Sequence, residues 1–563
     1  MSRTIELRAP EGVYTRRDWT NPLQHRTAGQ NDAPTSPTSH ESAATSSRYA
    51  CMNEVPHMSA AIIRPRHATH ADASSSVPGA LVSQGLEAEA WGDATPLRSA
   101  RPKLSLRTLG GSFIVRSNQY QDMSKIVNHR TEPTLFTMIN ASKTLFWYAN
   151  VHQKMKEPAG RIMFTHAPLC HDINQHTCRH DRMDVVVGLS SGDIVWMDPI
   201  QYRCSRMNKN GMVTSSPVRQ IRWVPGHETQ FVSAHSDGTV LVWDVERDDP
   251  PEGFQKAPSD PAWDPRASIV VEEPQLQTDS PSGGMLKMGR SKDHSPVLYN
   301  PLSVWHVSRR AITDMAFSPD GRTLAFTSED KLLHIVDFSR KTLIHTMASY
   351  FGGLTCVCWS QDGRILLTGG QDDLLTIWAA KEGHVVARAQ GHHSYVSAVA
   401  FDPWCHKGSS YDAYRLISAG EDGNVCFWDF SSWSLHRPRA APNQRALPLQ
   451  TTASQVFVPA QSRAEVPMLH PTASFRMPTS VPCGLRIAPN YLMVLHLDSE
   501  MALFSRPRRF THGHTVDHEP VPTHTTTSSP EEPPAASELP RSPTQRQMFR
   551  RTMSPFTLGL RKT

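Results

Sequence analysis

The sequence predicts an all-β protein whose strands are arranged as a seven-bladed β-propeller. Three observations predict it. A phrase recurs as FVSAHSDGTVLVWDV at 231–245, LAFTSEDKLLHIVDF at 324–338, LLTGGQDDLLTIWAA at 366–380 and LISAGEDGNVCFWDF at 416–430. Each copy is an apolar strand, an acidic turn of small residues, and a second apolar strand ending in Trp-Asp or a remnant of it. Before most copies stands another apolar run that closes in a turn, as in ITDMAFSPDGR at 312–322 and YVSAVAFDP at 395–403. Several short strands per unit, repeating at roughly 40–50 residues, belong to a ring of blades, because one such unit cannot bury its own apolar face.

Taken in order, residues 1–110 are rich in Ser, Thr, Ala, Pro, His and Arg without a sustained period, and are expected to be disordered. The propeller is expected over 111–506, opening with a strand at 113–116. The first unit is the hairpin TLFTMINASKTLFWYANV at 134–151, turning around Asn140–Lys143. VVVGLSSGDIVWMDPI at 185–200 is the second, and 218–245 the third. Residues 246–300 are Pro-rich and too long for a blade strand, so they read as an inserted linker. Units four to six follow from 303 to 430, and a second Pro-rich insertion occupies 431–479. GLRIAPNYLMVLHLDSEMALFSR at 484–506 is the seventh unit, with the 113–116 strand expected to complete its blade and close the ring. Six blades with one hairpin as decoration is the alternative. Residues 507–563 are again rich in Pro, Ser, Thr and Arg and are expected to be disordered.

Composition narrows the function classes. Net charge is only +5 over 563 residues, which disfavours a nucleic-acid surface, since phosphate binding calls for a concentrated basic stripe. The nine cysteines are scattered, with Cys356 and Cys358 alternating inside an apolar strand as small hydrophobes, so a reducing compartment is expected. MSRTIELRAPEGVYTRRDW has no apolar core for a signal peptide, and YLMVLHLDSEMALF is interrupted by Asp498 and Glu500, so no membrane partner is expected and the location is cytoplasmic, nuclear or both.

Unit six displays the internal logic of a blade: His392 or His393 before the first strand, Ser418 in a middle strand, Asp422 in the turn and Trp428 beyond it. This set resembles the WD repeat, in which indole, hydroxyl, imidazole and carboxylate form a buried relay, each satisfying its neighbour. Unit three offers Ser233, Asp237 and Trp243 without a Gly-His, and unit five Thr368, Asp372 and Trp378. Unit four keeps Asp330 but has Val336 in place of Trp. Because the set recurs from unit to unit, it is structural rather than a Ser-His-Asp hydrolase; no Gly-x-Ser-x-Gly elbow is present.

Other chemistry is sparse. CHDINQHTCRH holds Cys170, His171, His176, Cys178 and His180, but its spacing matches no standard zinc knuckle, and neither metal nor cofactor is expected. No Gly-rich loop carries the Gly-Lys-Ser/Thr needed to cradle phosphate. SPDGR at 318–322 and SQDGR at 360–364 are turns whose Asp-Gly supplies positive φ. Ser-Pro dipeptides at Ser36, Ser280, Ser295, Ser529, Ser542 and Ser554 offer weak candidates for proline-directed phosphorylation. Aromatics in connecting loops are more informative. TMASYFGGLTCVCW places Tyr350 and Phe351 before Gly352-Gly353, and AQGHHSYVSAVAF places Tyr395 at the equivalent edge of the next blade. Exposed aromatics beside glycine on one rim are candidate anchors for a protein partner.

LCHDINQHT, VVVGLSSGDIVWMDPI, FSPDGRTLAFTSEDKLLHIVDF, SYFGGLTCVCWSQDGRILLTGGQDDLLTIWA and GHHSYVSAVAFDPW together resemble the family of fungal CreC and animal WD-repeat-containing protein 20. The resemblance implies a non-catalytic scaffold that binds a ubiquitin-specific protease and supports its deubiquitinating activity. In fungi it implies a CreB-type deubiquitinase in carbon catabolite repression and the transcription it regulates, and it allows for a second WD-repeat subunit. The family's protease-contacting aromatics map onto Phe351 and Tyr395, the second being Trp in the animal relatives. The alternative is a substrate receptor of a cullin-type ubiquitin ligase. Such receptors often carry Trp-Asp-x-Arg after a blade, whereas Trp243-Asp244-Val245-Glu246 and Trp428-Asp429-Phe430-Ser431 lack the Arg.

Overall fold

The computed structural model describes residues 6–20, 55–63, 100–107, 113–129, 133–149, 158–251, 254, 261–273, 299–405, 413–431, 456–478 and 480–507. Their strands form seven sheets, six of five strands and one of four. The seven innermost strands are Met58–Ile63, Pro168–Ile173, Val218–Trp223, Ile312–Phe317, Leu354–Trp359, Val396–Asp402 and Pro482–Ile487. They neighbour one another in that order and return to the first, so the ring closes at seven blades, numbered here in the same sequence. Among the described residues one short α-helix, Met123–Asn128, interrupts the strands, and no helix is long and apolar enough to cross a membrane.

Ring closure differs from the expectation. The strand Ile114–Gln119 does not complete blade 7; it pairs with Gly160–Phe164 as the outer edge of blade 1. Blade 7 is completed from the N-terminal region, where Gly12–Thr20 pairs with Met501–Ser505 and Glu6–Ala9 covers Gly12–Thr20. Met58–Ile63 supplies the inner strand of blade 1. Residues 1–110 therefore are not a disordered tail throughout: three of their strands belong to blades 1 and 7, and Leu104–Ser105 edges blade 2. Gly12–Thr20, Met58–Ile63 and Leu104–Ser105 sit in polar contexts and take their strand character from pairing with residues far away along the chain, while Glu6–Ala9 joins blade 7 as a local hairpin with Gly12–Thr20.

The two insertions are corrected in the same way. Within 246–300, Val270–Glu272 pairs with Ser303–His306 as the edge of blade 3. Within 431–479, Phe457–Val458 and Met468–Leu469 run parallel to the outer strands of blades 4 and 5, and Ala473–Arg476 is the fourth strand of blade 6. Covering an outer strand removes a row of unpaired backbone groups that would invite aggregation.

Adjacent blades are stitched along the ring. The second residue of an inner strand donates to a carbonyl at or just before the start of the next: Thr313 to Leu354 at 2.8 Å, Thr355 to Val396 at 2.6 Å, Ser397 to Pro482 at 2.7 Å and Cys483 to Pro56 at 3.8 Å. Apolar packing fills the wedge between blades. At Gly369 an added Cβ would lie 2.6 Å from Val396 Cγ1 and 2.7 Å from Cys356 Sγ, so the inner strand of blade 6 approaches where only glycine leaves room. Six tryptophans, Trp147, Trp196, Trp243, Trp305, Trp378 and Trp428, are fully buried in these wedges.

Candidate interaction face

The relay inside blade 6 forms as its sequence suggests. Trp428 Nε1–H donates to Ser418 Oγ at 2.8 Å, and that oxygen lies 2.7 Å from His392 Nε2. His392 Nδ1 faces Asp422 Oδ1 at 3.1 Å, which settles His392 rather than His393 as the ring in the relay. His393 contributes its backbone N–H to the same carboxylate at 3.1 Å. Burial opposes a charge on His392, but the hydrogen bond to Asp422 outweighs it and raises the imidazole from an ordinary 6.5 to about 9. The Asp422 carboxyl is held well below the usual carboxylate range: burial pushes it up, and His392 and the Asn424 N–H pull it further down.

The two shifts give the pH dependence its sign. A raised histidine stabilises fully below its unfolded value of 6.5 and loses that contribution as pH climbs through about 9. The depressed carboxylate contributes above 3.8 and loses its share as pH falls through its lowered value. Asp422→Asn is expected to cost about 1.5–3 kcal/mol near pH 6, with the gap from wild type narrowing above about pH 9. Urea unfolding across that range measures it, and a gap independent of pH would show that the pair is not charged.

The other blades vary the scheme. In blade 3, Trp243 donates to Ser233 at 2.7 Å, and the imidazole beside Ser233 is His235, at 2.8 Å, from the same strand rather than from a preceding loop. Asp237 accepts from the Thr239 N–H and hydroxyl and shapes the turn. In blade 5, Trp378 donates to Thr368 at 2.8 Å, while Asp372 accepts from the Leu374 N–H at 3.3 Å. Burial pushes the Asp372 carboxyl up to about 6 against the pull of the backbone N–H groups of Leu374 and Phe351. In blade 4, Val336 is buried where Trp stands elsewhere, and Asp330 accepts from Ser308 at 2.7 Å. Blade 2 departs further: Trp196 donates to the buried carboxylate of Asp184, which Arg182 holds at 2.6 Å.

The residues of the 170–180 cluster are dispersed. Cys170 points at the Val218 carbonyl in the wedge toward blade 3, at 3.5 Å. His171 instead sits 2.6 Å from Ser59 Oγ on the inner strand of blade 1, and Cys178 lies in the apolar core of blades 1 and 2. The Ser59–His171 pair is sealed from solvent, and burial lowers His171 to about 3, which makes it a poor general base. Glu11, Asp402 and Cys405 also converge. Their carboxylates are taken by guanidinium groups, Glu11 by Arg415 and Asp402 by Arg506 at 2.6 Å. The inner strands enclose a central cavity of about 1060 Å³, lined by Asp172, Arg222, Asp314, Cys356, Cys358 and Arg486 among others. There Arg222 pairs with Asp314 at 3.5 Å.

The aromatic loops lie on one face. Tyr350 and Phe351 lead into the inner strand Leu354–Trp359, and Tyr395 leads into Val396–Asp402. Inner strands of neighbouring blades run the same way, so both loops open on the same rim, beside the turns at Asp330–Lys331 and Asp372–Asp373. Phe351 is 69% exposed, the most exposed large hydrophobic side chain among the described residues, and Tyr350 is 41% exposed. Tyr395 is half-buried, and its carbonyl accepts from the Glu421 N–H at 2.8 Å.

The loop that presents Phe351 is held from both sides. Ser349 N–H donates to the Lys331 carbonyl at 2.8 Å, and Ser349 Oγ–H to the Gly352 carbonyl at 2.6 Å. Gly353 N–H donates to Gln371 Oε1 at 2.9 Å, and Gln371 N–H returns a bond to the Gly353 carbonyl at 2.9 Å. Gly352 has φ +71°, and a Cβ there would lie 2.9 Å from Gln371 Cβ, so glycine is required twice over. Lys331 Nζ stands 5.6 Å from the centroid of the Phe351 ring and the Arg388 guanidinium 4.4 Å from that of Tyr350. Gln371, Lys331 and Arg388 are the residues that sequence reasoning missed, since nothing in their local context marks them. A hydrophobic ring on a braced loop suits an anchor that docks in a partner's pocket with little ordering cost.

The family model "WD domain, G-beta repeat" matches residues 209–244, 299–337, 341–379 and 383–429. The chain is a WD-repeat β-propeller. A curated relative, UBP9-binding protein bun62 of Schizosaccharomyces pombe, is 33% identical over 357 residues, covering 61% of this chain and 60% of the relative. The matched part of the propeller chain thus spans less than two thirds of that relative's length. Its name agrees with the resemblance read from the sequence, to WD-repeat partners of ubiquitin-specific proteases. Among solved structures, one chain in a crystal structure of the mitotic checkpoint complex aligns with a TM-score of 0.43 and 11% identity, over 75% of this chain and 99% of that one.

Proposed function

We propose that this propeller is a non-catalytic scaffold that binds a ubiquitin-specific protease of the CreB type. In this reading the docking face is the rim carrying Phe351, Tyr350 and Tyr395. The exposed Phe351 ring on a braced loop carries the reading, supported by similarity to a protein named for binding UBP9. Binding activates or stabilises the protease by population shift: the propeller holds the competent conformation more tightly than the idle one, by no more than its differential affinity allows. The biological setting we assign is carbon catabolite repression, in the cytoplasm, the nucleus or both. The complex leaves the far rim of the ring available to a second WD-repeat subunit.

The test mixes the full chain with a CreB-type ubiquitin-specific protease and follows both binding and turnover of a ubiquitin substrate. Saturable binding with faster turnover is the expected result. Binding without faster turnover reduces the role to stabilisation or targeting, and no binding to a competent protease removes the proposal.

A further inference from the structure

Residues 456–469 follow blade 6 in the sequence but do not lie on it. Val456 and Phe457–Val458 run along the outer strand of blade 4, with Thr346 N–H donating to the Val456 carbonyl at 2.8 Å. The segment then crosses to blade 5, where Met468–Leu469 lies parallel to His384–Gln390 and Arg388 N–H donates to the Pro467 carbonyl at 2.9 Å. Val466, 3% exposed, is buried in the apolar cluster shared by the two blades, and Ser462 N–H closes a local turn on Glu465 at 3.0 Å. The segment is therefore a packed strap across the junction of blades 4 and 5, the junction from which the Tyr350–Phe351 loop emerges.

One side chain joins the strap to that loop. Arg388 is 1% exposed. Its Nη2–H donates to the Gln461 carbonyl at 2.8 Å and its Nη1–H to the Ser462 carbonyl at 3.4 Å, both at the crossing point of the strap. Its guanidinium stacks 4.4 Å from the Tyr350 ring centroid. The group thus uses its planar fork on the strap and its face on the loop, a combination an ammonium cannot reproduce.

We propose that Arg388 is a positioning residue through which the 456–469 strap holds the Tyr350–Phe351 loop in its docking conformation. The consequence for partner binding rests on the proposed function above; the effect on the loop does not. With the strap in place the Phe351 ring is presented without an ordering cost at association, and anything that lifts the strap lowers affinity from a distance.

Hydrogen–deuterium exchange on the free full chain tests the loop directly, because Ser349 and Gly353 both donate bonded N–H groups. Two variants approach the stack from opposite sides. Arg388→Lys keeps the charge but loses the fork, and Tyr350→Leu removes the ring from an exposed position that the core does not depend on. Each is expected to speed exchange over 349–353 by roughly three- to tenfold while the amides of Ile365–Gly370 stay as in wild type. For Arg388→Lys, binding to the protease should weaken by a similar factor. Unchanged exchange over 349–353 in Tyr350→Leu, or faster exchange spread evenly through blade 5 in Arg388→Lys, would overturn the inference. Wild-type protease binding by Phe351→Ala would instead remove the docking-face reading and leave the exchange comparison to decide the strap.

Discussion

A chain shortened to begin at residue 64 is expected to lose its cooperative unfolding transition and to elute as aggregate. The deletion removes Glu6–Ala9, Gly12–Thr20 and Met58–Ile63, so blade 7 loses its two outer strands and blade 1 its innermost. The inner strands Pro168–Ile173 and Pro482–Ile487 would then face each other across a gap, and Met501–Ser505 would become an open edge. Leu7, Met58 and Ile63 are each buried to within a few per cent of their surface; at about 1.5–3 kcal/mol apiece their loss is on the order of 5–9 kcal/mol. That is comparable with the roughly 5–15 kcal/mol that holds a typical domain folded. Polar losses add to it: the Glu11–Arg415 ion pair, the Arg16–Glu500 contact at 3.5 Å and the Ser59 partner of His171. Size-exclusion chromatography and a thermal melt of the two chains measure the effect. A truncated chain that elutes as monomer and melts at the full-length temperature would refute closure by the N-terminal strands.

Phe351→Ala should weaken protease binding by about 1–3 kcal/mol, or roughly five- to 150-fold in Kd, while leaving the melting temperature where it is. The two halves of that expectation have separate origins. The ring is 69% exposed, so removing it leaves no cavity in the propeller, and the loop bonds through Ser349, Gly353 and Gln371 are backbone and neighbour contacts that survive the change. The ring would be desolvated only in a complex, so the cost appears only there. Tyr395→Ala is expected to have a smaller effect on binding and a measurable one on stability, because most of its surface is already covered in the free protein. Titration of the variants against labelled protease distinguishes them. Wild-type affinity for Phe351→Ala would place the docking site elsewhere on the ring.

The fold class, the number of blades and the blade 6 relay were legible in the chain itself, and for one reason: each depends on contacts a few tens of residues apart. Strand, acidic turn and strand lie within fifteen residues of one another, so Ser418, Asp422 and Trp428 carry their own register, and the periodic apolar runs count the blades. The exposure of Phe351 was legible as well, because an aromatic pair, Tyr350 and Phe351, directly before two glycines is out of place in a turn. What only the tertiary structure decided is long-range. Gly12–Thr20 and Met58–Ile63 carry no repeat and become strands by pairing with residues such as Phe504 and Phe136, far away along the chain, and Glu6–Ala9 then folds onto Gly12–Thr20 as a hairpin. Arg388 is an ordinary charged residue of an outer strand until a segment some seventy positions later brings two carbonyls to its guanidinium. Local hydrogen-bonding chemistry is written in adjacent residues, whereas the closure of a ring and the bracing of its rim depend on which distant edges remain unpaired once the local units have formed.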